Sequence, residues 1–253
     1  MQIRILIKGT PLFTVLRGMP SFLTDYRKLV RQAGSSIREF PLTQFYPCLE
    51  DRYKESGEAS GHYFHQDLLV AHKIFLNRPT KHVDIGSRLD GFVAHVAAFR
   101  EIEVFDIREM KKSIRNICFN RMDLMSEDFP LREYTDSASC LHALEHFGLG
   151  RYGDHVDYEG HLRGWKNIGK MLRKGGRFYF SVPIGPQRIE FNAHRVFSVD
   201  YLRRIIDERY RIISFSYVDD RGDLFEDVIL EETSIKNNFA CQYGLGIFEL
   251  EKM

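Results

Sequence analysis

The spacing of hydrophobic positions changes period repeatedly from Lys81 onward. Short apolar runs, such as HVDIG at 82–86 and EIEVFDIR at 101–108, are typical of buried strands. Segments with apolar residues three or four positions apart, such as GFVAHVAAFR at 91–100, are typical of helices. This alternation predicts a mostly parallel sheet covered by helices on both faces. The predicted fold class is therefore α/β, doubly wound and Rossmann-like, with a seven-stranded sheet.

The remaining elements follow the same periods. Further strands are predicted in SIRNICFNRMDL (113–124), YTDSASCLHAL (134–144), RFYFSVP (177–183), RIISFSYVDD (211–220) and CQYGLGIFELEKM (241–253). Helices are predicted in HLRGWKNIGKMLRKGG (161–176), which we expect to end at a cap of Gly175 and Gly176, and in SVDYLRRIIDERY (198–210). No convincing helix separates the two late strands, so we expect an antiparallel addition at the sheet edge.

The first 60 residues are less regular, and we interpret them as an N-terminal extension packed on a core of residues 61–253. MQIRILIKG (1–9) predicts a strand, and LTDYRKLVRQ (23–32) predicts a helix. ESGEASGHYFHQ (55–66) is the best candidate for a linker because Gly, Ser and Glu follow each other closely. The aromatic residues of the extension leave open a role in covering a neighbouring copy.

Composition limits the classes of partner. Apolar residues make up 43% of the 253 positions, which is ample for a core, and 36 basic against 35 acidic residues leave a net charge of +1. This balance gives no reason to expect nucleic acid or anionic lipid as a partner. The four cysteines are widely spaced and are interpreted as reduced core thiols. With no run that could span a bilayer, we expect a soluble cytoplasmic protein that acts on a small molecule.

The segment KHVDIGSRLDGFVAHV (81–96) has the order strand, glycine turn, helix, which positions ligands in open α/β sheets. Gly86 ends the strand, and Asp106 ends the next strand 22 residues after Asp84, where a carboxylate can accept ribose hydroxyl protons. A nucleoside ligand is therefore predicted here. GLGRYG (148–153) spells a dinucleotide fingerprint, but it follows no strand directly and is more consistent with an active-site loop.

The first turn also indicates which nucleoside binds. A pyrophosphate needs closely spaced backbone N–H groups, whereas GSRLDG (86–91) has only two glycines and adds the anionic Asp90. S-adenosylmethionine has no phosphate and carries a sulfonium cation, which nearby acids stabilise. Asp84 and Asp106 supply such acids, and Asp123 follows the third strand where it can bind the adenine amino group. We therefore expect S-adenosylmethionine as the cofactor.

These segments resemble class I S-adenosylmethionine-dependent methyltransferases from about Gly61 to the C-terminus. The resemblance rests on VDIGS, VFDI, MDLM, LHALEH and LRKGGRFYFSVP, together with a late antiparallel strand. EHFGLGRYGD, NAHRVFS and SYVDDRGD are similar to a little-characterised family of unknown function that is associated with surface-polysaccharide gene clusters. One departure is Gly86-Ser87-Arg88 in place of the usual G-x-G, where the arginine could bind the methionine carboxylate or reduce affinity.

The resemblance implies a cofactor site and an acceptor site. The cofactor residues are Asp84, Gly86, Ser87, Arg88, Asp106, Ile107, Asp123, Leu124 and, from the preceding amphipathic helix, Gln66. Tyr63 and His65 of the same helix are further candidates. The acceptor contacts are Tyr152 and Asp154 in the loop after the fourth strand, and His194 and Arg195 after the fifth.

The candidate catalytic group is His142-Ala-Leu-Glu145-His146. Methyl transfer to a hydroxyl requires an aligned acceptor and a base, and histidine titrates near neutral pH. We expect His146 to be the base, with Glu145 orienting it or binding the acceptor, and His142 nearby. The same letters spell an inverted zinc-peptidase motif, but Gly148 and Gly150 would end the long helix that such a motif needs.

The resulting hypothesis is a methyltransferase that modifies an oxygen, or alternatively a nitrogen, of a small polar acceptor, such as a sugar, a nucleotide-linked sugar or a phosphorylated metabolite. A nicotinamide-dependent oxidoreductase is one alternative, and a cofactor-binding module without catalytic activity is another. No metal site is expected, although a metal-assisted methyltransferase using Asp154 or His146 is a variant of the main hypothesis.

Overall fold

The computed structural model describes residues 12–35, 40–57 and 59–253. The chain divides into two compact units, Met1–Glu58 and Ala59–Met253. The strand predicted at 1–9 lies outside the described residues.

The first unit is built on helix α1, Leu12–Ala33, which contains the helix predicted at 23–32 and extends it towards the N-terminus. One side of α1 packs on the segment that follows it. The rings of Phe22 and Tyr26 lie 5.8 and 4.6 Å from that of Phe45. A Cβ on Gly18 would come within 2.7 Å of the Cβ of Leu49, so glycine permits this close contact.

The second unit alternates strands and helices as predicted. In chain order its elements are α2 His62–Asn77, β1 His82–Ile85, α3 Ala94–Ala97, β2 Ile102–Asp106, β3 Ile117–Arg121, β4 Thr135–Leu141, α4 Gly160–Met171, β5 Leu172–Ile184, β6 Arg188–Glu190, β7 His194–Val196, α5 Val199–Asp207, β8 Tyr210–Val218, β9 Leu224–Phe225, α6 Glu232–Lys236 and β10 Gly244–Lys252. Among the described residues no helix is both long and apolar enough to cross a membrane.

The main sheet has the order β3-β2-β1-β4-β5-β10-β8-β9. Strands β1 to β5 pair in parallel, and β10 is antiparallel to both β5 and β8. The α/β Rossmann-like fold class is thus confirmed, with the two-residue β9 as an eighth strand. The antiparallel addition expected from the two late strands is confirmed, since β10, β8 and β9 extend the sheet beyond β5, with β10 as the internal strand of this addition. The first seven residues of β10 are all buried, as an internal strand requires.

Both faces of the sheet are covered. On one face Trp165 of α4 packs on Phe178 and Phe180 of β5, with ring centroids 5.6 and 5.0 Å away. On the other face Val70 and Ile74 of α2 belong to a second buried cluster. Because β1 pairs with β2 on one side and β4 on the other, the strand order reverses beside β1. The carboxyl ends of β1 and β4 therefore border a crevice.

Two local predictions were wrong, and a third was confirmed in part. Helix α4 ends at Met171, because Leu172 has an extended backbone and begins β5, so the pair Gly175 and Gly176 lies within a strand. The helix predicted at 91–100 is present as a π-helical turn, Leu89–Val93, that continues into α3, but it ends at Ala97. The cysteines are not all core thiols, since Cys48 and Cys118 are exposed whereas Cys140 and Cys241 are buried.

Candidate active site

A cavity of about 980 Å³ lies at the carboxyl ends of the parallel strands. Thirteen of the predicted site residues line it, namely Tyr63, Gly86, Arg88, Asp106, Ile107, Asp123, Leu124, His142, Glu145, His146, Tyr152, Asp154 and His194. Asp84, Ser87, Gln66 and Arg195 are not among the lining residues. The cavity has the position that the strand order predicts for a ligand site.

The turn after β1 is held by hydrogen bonds to Asp84, a fully buried residue of that strand. Its carboxylate accepts hydrogen bonds from the Ser87 hydroxyl at 2.7 Å, the Ser87 amide at 3.0 Å and the Ser139 hydroxyl at 2.6 Å. Burial raises the pKa of Asp84 to about 6, although these hydrogen bonds lower it. Asp84 and Ser87 therefore shape the turn.

The turn itself brings backbone to the cavity wall. Gly86 has a φ of +70°, and a Cβ there would lie 3.0 Å from the Cβ of Ala143, so glycine is required for both reasons. Arg88 faces the cavity but pairs with the exposed Asp90 at 2.9 Å. Gln66 is buried and does not line the cavity, and its side-chain amide forms hydrogen bonds with Asp67 and Ser181.

Asp106 lies at the cavity edge, where β2 ends. Both of its oxygens are occupied by Arg108, whose Nε and Nη2 atoms donate at 2.9 and 2.6 Å, and whose backbone amide donates at 2.8 Å. The same guanidinium lies 4.4 Å from the ring centroid of Tyr152. The predicted ribose-binding carboxylate thus lies at the cavity, but both of its oxygens accept hydrogen bonds from Arg108.

The loop after β3 contributes Asp123 and Leu124. One carboxylate oxygen of Asp123 accepts a hydrogen bond from the Met125 amide at 2.8 Å. The second oxygen makes no hydrogen bond within the described part of the chain, so it can accept one from a ligand. The position agrees with the adenine-side role that the resemblance implies.

The His-Glu-His group follows β4 directly, with His142 next to the strand end and Glu145 and His146 in the 3-10 turn Leu144–His146. Glu145 is fully buried, and its Oε1 lies 2.7 Å from Nδ1 of His142. Burial alone would raise the pKa of Glu145, but His142 and His146 together lower it, so the carboxylate is ionised at neutral pH. The Oε2 atom of Glu145 has no hydrogen-bond partner within the described residues. A buried acceptor left unpaired at a cavity wall is suited to a ligand donor.

His146 is oriented by a backbone carbonyl. Its Nδ1 lies 2.7 Å from the Ala193 oxygen, while its Nε2 lies 3.7 Å from Oε1 of Glu145. Burial lowers the pKa of His146, partly opposed by the charge of Glu145. The imidazole is therefore neutral near pH 7, with the proton on Nδ1 donated to Ala193 and a lone pair on Nε2.

His62 is a cavity residue that sequence reasoning missed. Its Nδ1 lies 3.2 Å from Nε2 of His142, and the two rings stack with centroids 5.3 Å apart. Burial, assisted by His142, lowers the pKa of His62 to about 4. Tyr63 and Tyr243 flank the pair and continue a wall of rings. The one signal for His62 in the sequence was its position beside the candidate Tyr63, at the start of α2. His65, the other histidine considered there, contacts the carbonyl oxygen of Gly222 at 3.1 Å.

The glycine-rich loop is organised by a carboxylate. Asp154 accepts hydrogen bonds from the amides of Gly148, Gly150 and Tyr152 at 2.8, 3.2 and 3.1 Å. The amides that would cradle a phosphate in a dinucleotide site are thus already used. Tyr152 and Asp154 line the cavity, as a loop of the acceptor site would.

Arg195 is placed differently from our expectation. Only 4% of it is exposed, and its guanidinium donates to the carbonyls of Phe147 and Tyr158. It therefore fixes the chain around the His-Glu-His turn and does not reach the cavity. His194 does line the cavity, with Nε2 lying 3.2 Å from an oxygen of Glu190.

The zinc-peptidase pattern lacks its helix, because His146 lies on a three-residue turn and His142, two residues before that turn, has a φ of +52°. Within the described ranges, no group of three or more His, Cys, Asp or Glu side chains has the arrangement of a metal site.

Solved structures share the fold at low identity. A Burkholderia thailandensis 1,6-didemethyltoxoflavin-N1-methyltransferase is 14% identical, with 100% of each chain covered and a TM-score of 0.52. A putative sarcosine dimethylglycine methyltransferase from Galdieria sulphuraria is 11% identical over 74% of this chain and 85% of that one, with a TM-score of 0.51. The [4+2]-cyclase SpnF is 14% identical over 96% and 97%, with a TM-score of 0.55.

At the level of sequence, no curated protein matches the chain significantly. The family model described as Caenorhabditis protein of unknown function, DUF268, matches residues 93–237, which is more than half of the chain and spans α3 to the end of α6. The chain therefore belongs to the DUF268 family.

Proposed function

We propose that the protein is an S-adenosylmethionine-dependent methyltransferase that modifies an oxygen of a small polar acceptor. The observation that carries this proposal is the position of Asp106, a carboxylate at the end of β2 that borders a cavity beside the strand reversal. The fold shared with methyltransferases supports it, although SpnF is a [4+2]-cyclase, so the fold by itself does not fix the chemistry.

The residues present fit this cofactor. Asp106 would bind the ribose hydroxyls, with Ile107 beside it, and Asp123 and Leu124 would hold the adenine side. The amino acid end would lie towards Gly86 and Arg88. The amides of the glycine-rich loop are used by Asp154, which argues against a pyrophosphate there. When bound, the cofactor supplies an electrophilic methyl group.

His146 is our candidate base. Its Nδ1–H donates to the Ala193 carbonyl, so Nε2 can accept the proton that the acceptor hydroxyl loses as the new bond forms. The carbonyl of Ala193 provides the orientation that we had expected from Glu145. The unpaired Oε2 of Glu145 would instead accept a hydrogen bond from the acceptor and thereby align it.

The acceptor site would be completed by Tyr152 and His194, which line the cavity. Phenol and imidazole side chains suit a hydroxylated molecule such as a sugar, a nucleotide-linked sugar or a phosphorylated metabolite. A role in surface-polysaccharide biosynthesis remains part of the proposal. It rests on the resemblance of the loop motifs.

Calorimetric titration with S-adenosylhomocysteine and, separately, with NADH tests the cofactor. We expect saturable binding of the first compound only. Asp106→Asn removes a hydrogen bond to a charged group, worth about 1.5–3 kcal/mol, so affinity should fall roughly 10- to 150-fold. Asp200→Asn, which removes an exposed acid paired with Arg204 outside the cavity, should leave affinity unchanged. Binding of NADH without the sulfur compound would favour an oxidoreductase instead.

The base is tested by transfer of a radiolabelled methyl group to a panel of nucleotide sugars and sugar phosphates. For an acceptor found in this way, His146→Asn should lower kcat by about 10²–10⁴-fold. His72→Asn, at an exposed position of α2, is the matched control. An unchanged kcat for the first variant would show that the base is wrongly assigned.

A further inference from the structure

We propose that the acceptor carries an anionic group, which binds to Arg108 and Arg151 beside Tyr152, and that cofactor binding at Asp106 frees Arg108 for this purpose. The inference rests on the proposed function. It narrows the proposed acceptors to those that carry an anionic group. It also adds two binding residues, Arg108 and Arg151, that the sequence did not single out.

The first observation concerns the carboxylate of Asp106. Both of its oxygens accept hydrogen bonds from the Arg108 guanidinium, at 2.9 and 2.6 Å. A ribose presents two adjacent hydroxyls to the same two oxygens. Arg108 and the ribose therefore compete for Asp106. Since the Arg108 side chain is 51% exposed, its ion pair is screened by water and is readily exchanged.

The second observation concerns where Arg108 can go. Its guanidinium already lies 4.4 Å from the ring centroid of Tyr152, a distance typical of a cation–π contact. A small rotation of the side chain away from Asp106 would keep this contact. Arg108 would then be a cation without a carboxylate partner, next to the acceptor loop.

The third observation is that Arg151 faces the same ring, with its guanidinium 5.2 Å from the Tyr152 centroid. Its hydrogen bond in the described part of the protein goes to the neutral carbonyl of Ala193 at 3.0 Å. Asp154, an acid of the same loop, accepts hydrogen bonds from three backbone amides and forms no ion pair with Arg151. Arg151 is therefore a cation at the cavity wall whose charge is not matched by a carboxylate.

Two guanidinium groups that converge on one ring are suited to an oxyanion, because each presents parallel N–H donors that match a phosphate or a carboxylate. A neutral sugar would leave both charges unmatched. Arg151 also lies 3.5 Å from the His146 ring nitrogen that is bonded to Ala193, which brings the anion site next to the candidate base. The arrangement predicts ordered binding, with the cofactor before the acceptor.

The competition is tested by titrating Arg108→Gln with S-adenosylhomocysteine. Loss of the competing guanidinium should tighten binding roughly two- to fivefold, the range of an exposed ion pair. Arg211→Gln, which breaks an exposed pair with Glu251 outside the cavity, should have no effect. If the compound binds the wild-type protein but equally well or more weakly to Arg108→Gln, the competition does not exist and the inference is overturned.

The anion site is tested with inorganic phosphate and with acetate, each titrated with and without saturating S-adenosylhomocysteine. We expect at least one of the two anions to bind several-fold more tightly when S-adenosylhomocysteine is present. Comparison of the two affinities then shows whether the acceptor's anionic group is a phosphate or a carboxylate. The gain should vanish in Arg108→Gln and in Arg151→Gln, whose folding is verified by circular dichroism. Absence of the gain in the wild-type protein would overturn the inference, whereas failure of S-adenosylhomocysteine to bind would overturn the proposed function itself.

Discussion

His82, the first residue of β1, should make the protein sensitive to mild acid. The side chain is 1% exposed, and its two ring nitrogens lie 2.8 and 3.1 Å from the hydroxyls of Ser137 and Ser139 on β4. Burial, together with the charge of Arg100, lowers its pKa from 6.5 to about 3. The folded protein therefore holds this histidine neutral at pH values where the unfolded chain protonates it.

The sign and size of the effect follow from linkage. Because the unfolded chain binds the proton first, the stabilisation from neutral His82 is present above pH 6.5 and is lost progressively as the pH falls towards 3. Between pH 7 and 5 the loss is about 2 kcal/mol. Asp84 acts in the opposite direction, since its pKa is raised to about 6 and the folded state takes up its proton first as the pH falls.

The contribution of His82 is isolated by comparison with His82→Gln, which keeps a side chain able to bond both serines. Urea unfolding can be followed by the fluorescence of Trp165, the single tryptophan, which is buried against Phe178 and Phe180. On going from pH 7 to 5, the wild type should lose about 2 kcal/mol more than His82→Gln. His72→Gln should behave as the wild type. Equal losses in all three proteins would refute the reasoning.

Further predictions concern the loop after β4. Gly148→Ala should cost at least about 2 kcal/mol of stability, because the residue has a φ of +76° and a Cβ would lie 2.0 Å from the carbonyl oxygen of Asp157. Gly153→Ala, with a φ of +81° but no atom within 4 Å of the new Cβ, should cost only about 1 kcal/mol, so similar urea midpoints would contradict this account. Asp154→Ala removes the carboxylate that accepts hydrogen bonds from three loop amides, so tryptic cleavage after Arg151 should become faster. The thermal midpoint of the core should change by no more than a few degrees. An unchanged cleavage rate would mean that Asp154 does not order the loop.

Local spacing was sufficient to predict the parallel strands, because a buried strand requires a short apolar run whatever its neighbours are. The same spacing predicted that Gly86 and Asp106 would meet at one edge, since parallel strands present their carboxyl ends together. It failed for the end of α4, where Gly175 and Gly176 lie within β5 and do not cap the helix. A glycine pair after a helical segment is compatible with either assignment, and only the pairing of β5 in the assembled sheet distinguishes them.

The sequence by itself therefore determined the sheet, the turn after β1 and the set of side chains at its carboxyl edge. Tertiary structure decided how those side chains pair. Glu145 orients His142 and not His146, His62 reaches His142 from 80 positions away, and Arg108 occupies Asp106. The contact between His62 and His142 joins elements that are remote in the chain, whereas Glu145 and Arg108 pair with residues two or three positions away, through turns whose conformation is set by the assembled sheet. The periodicity of one segment carries no information about them, because they are fixed by the packing of the whole core.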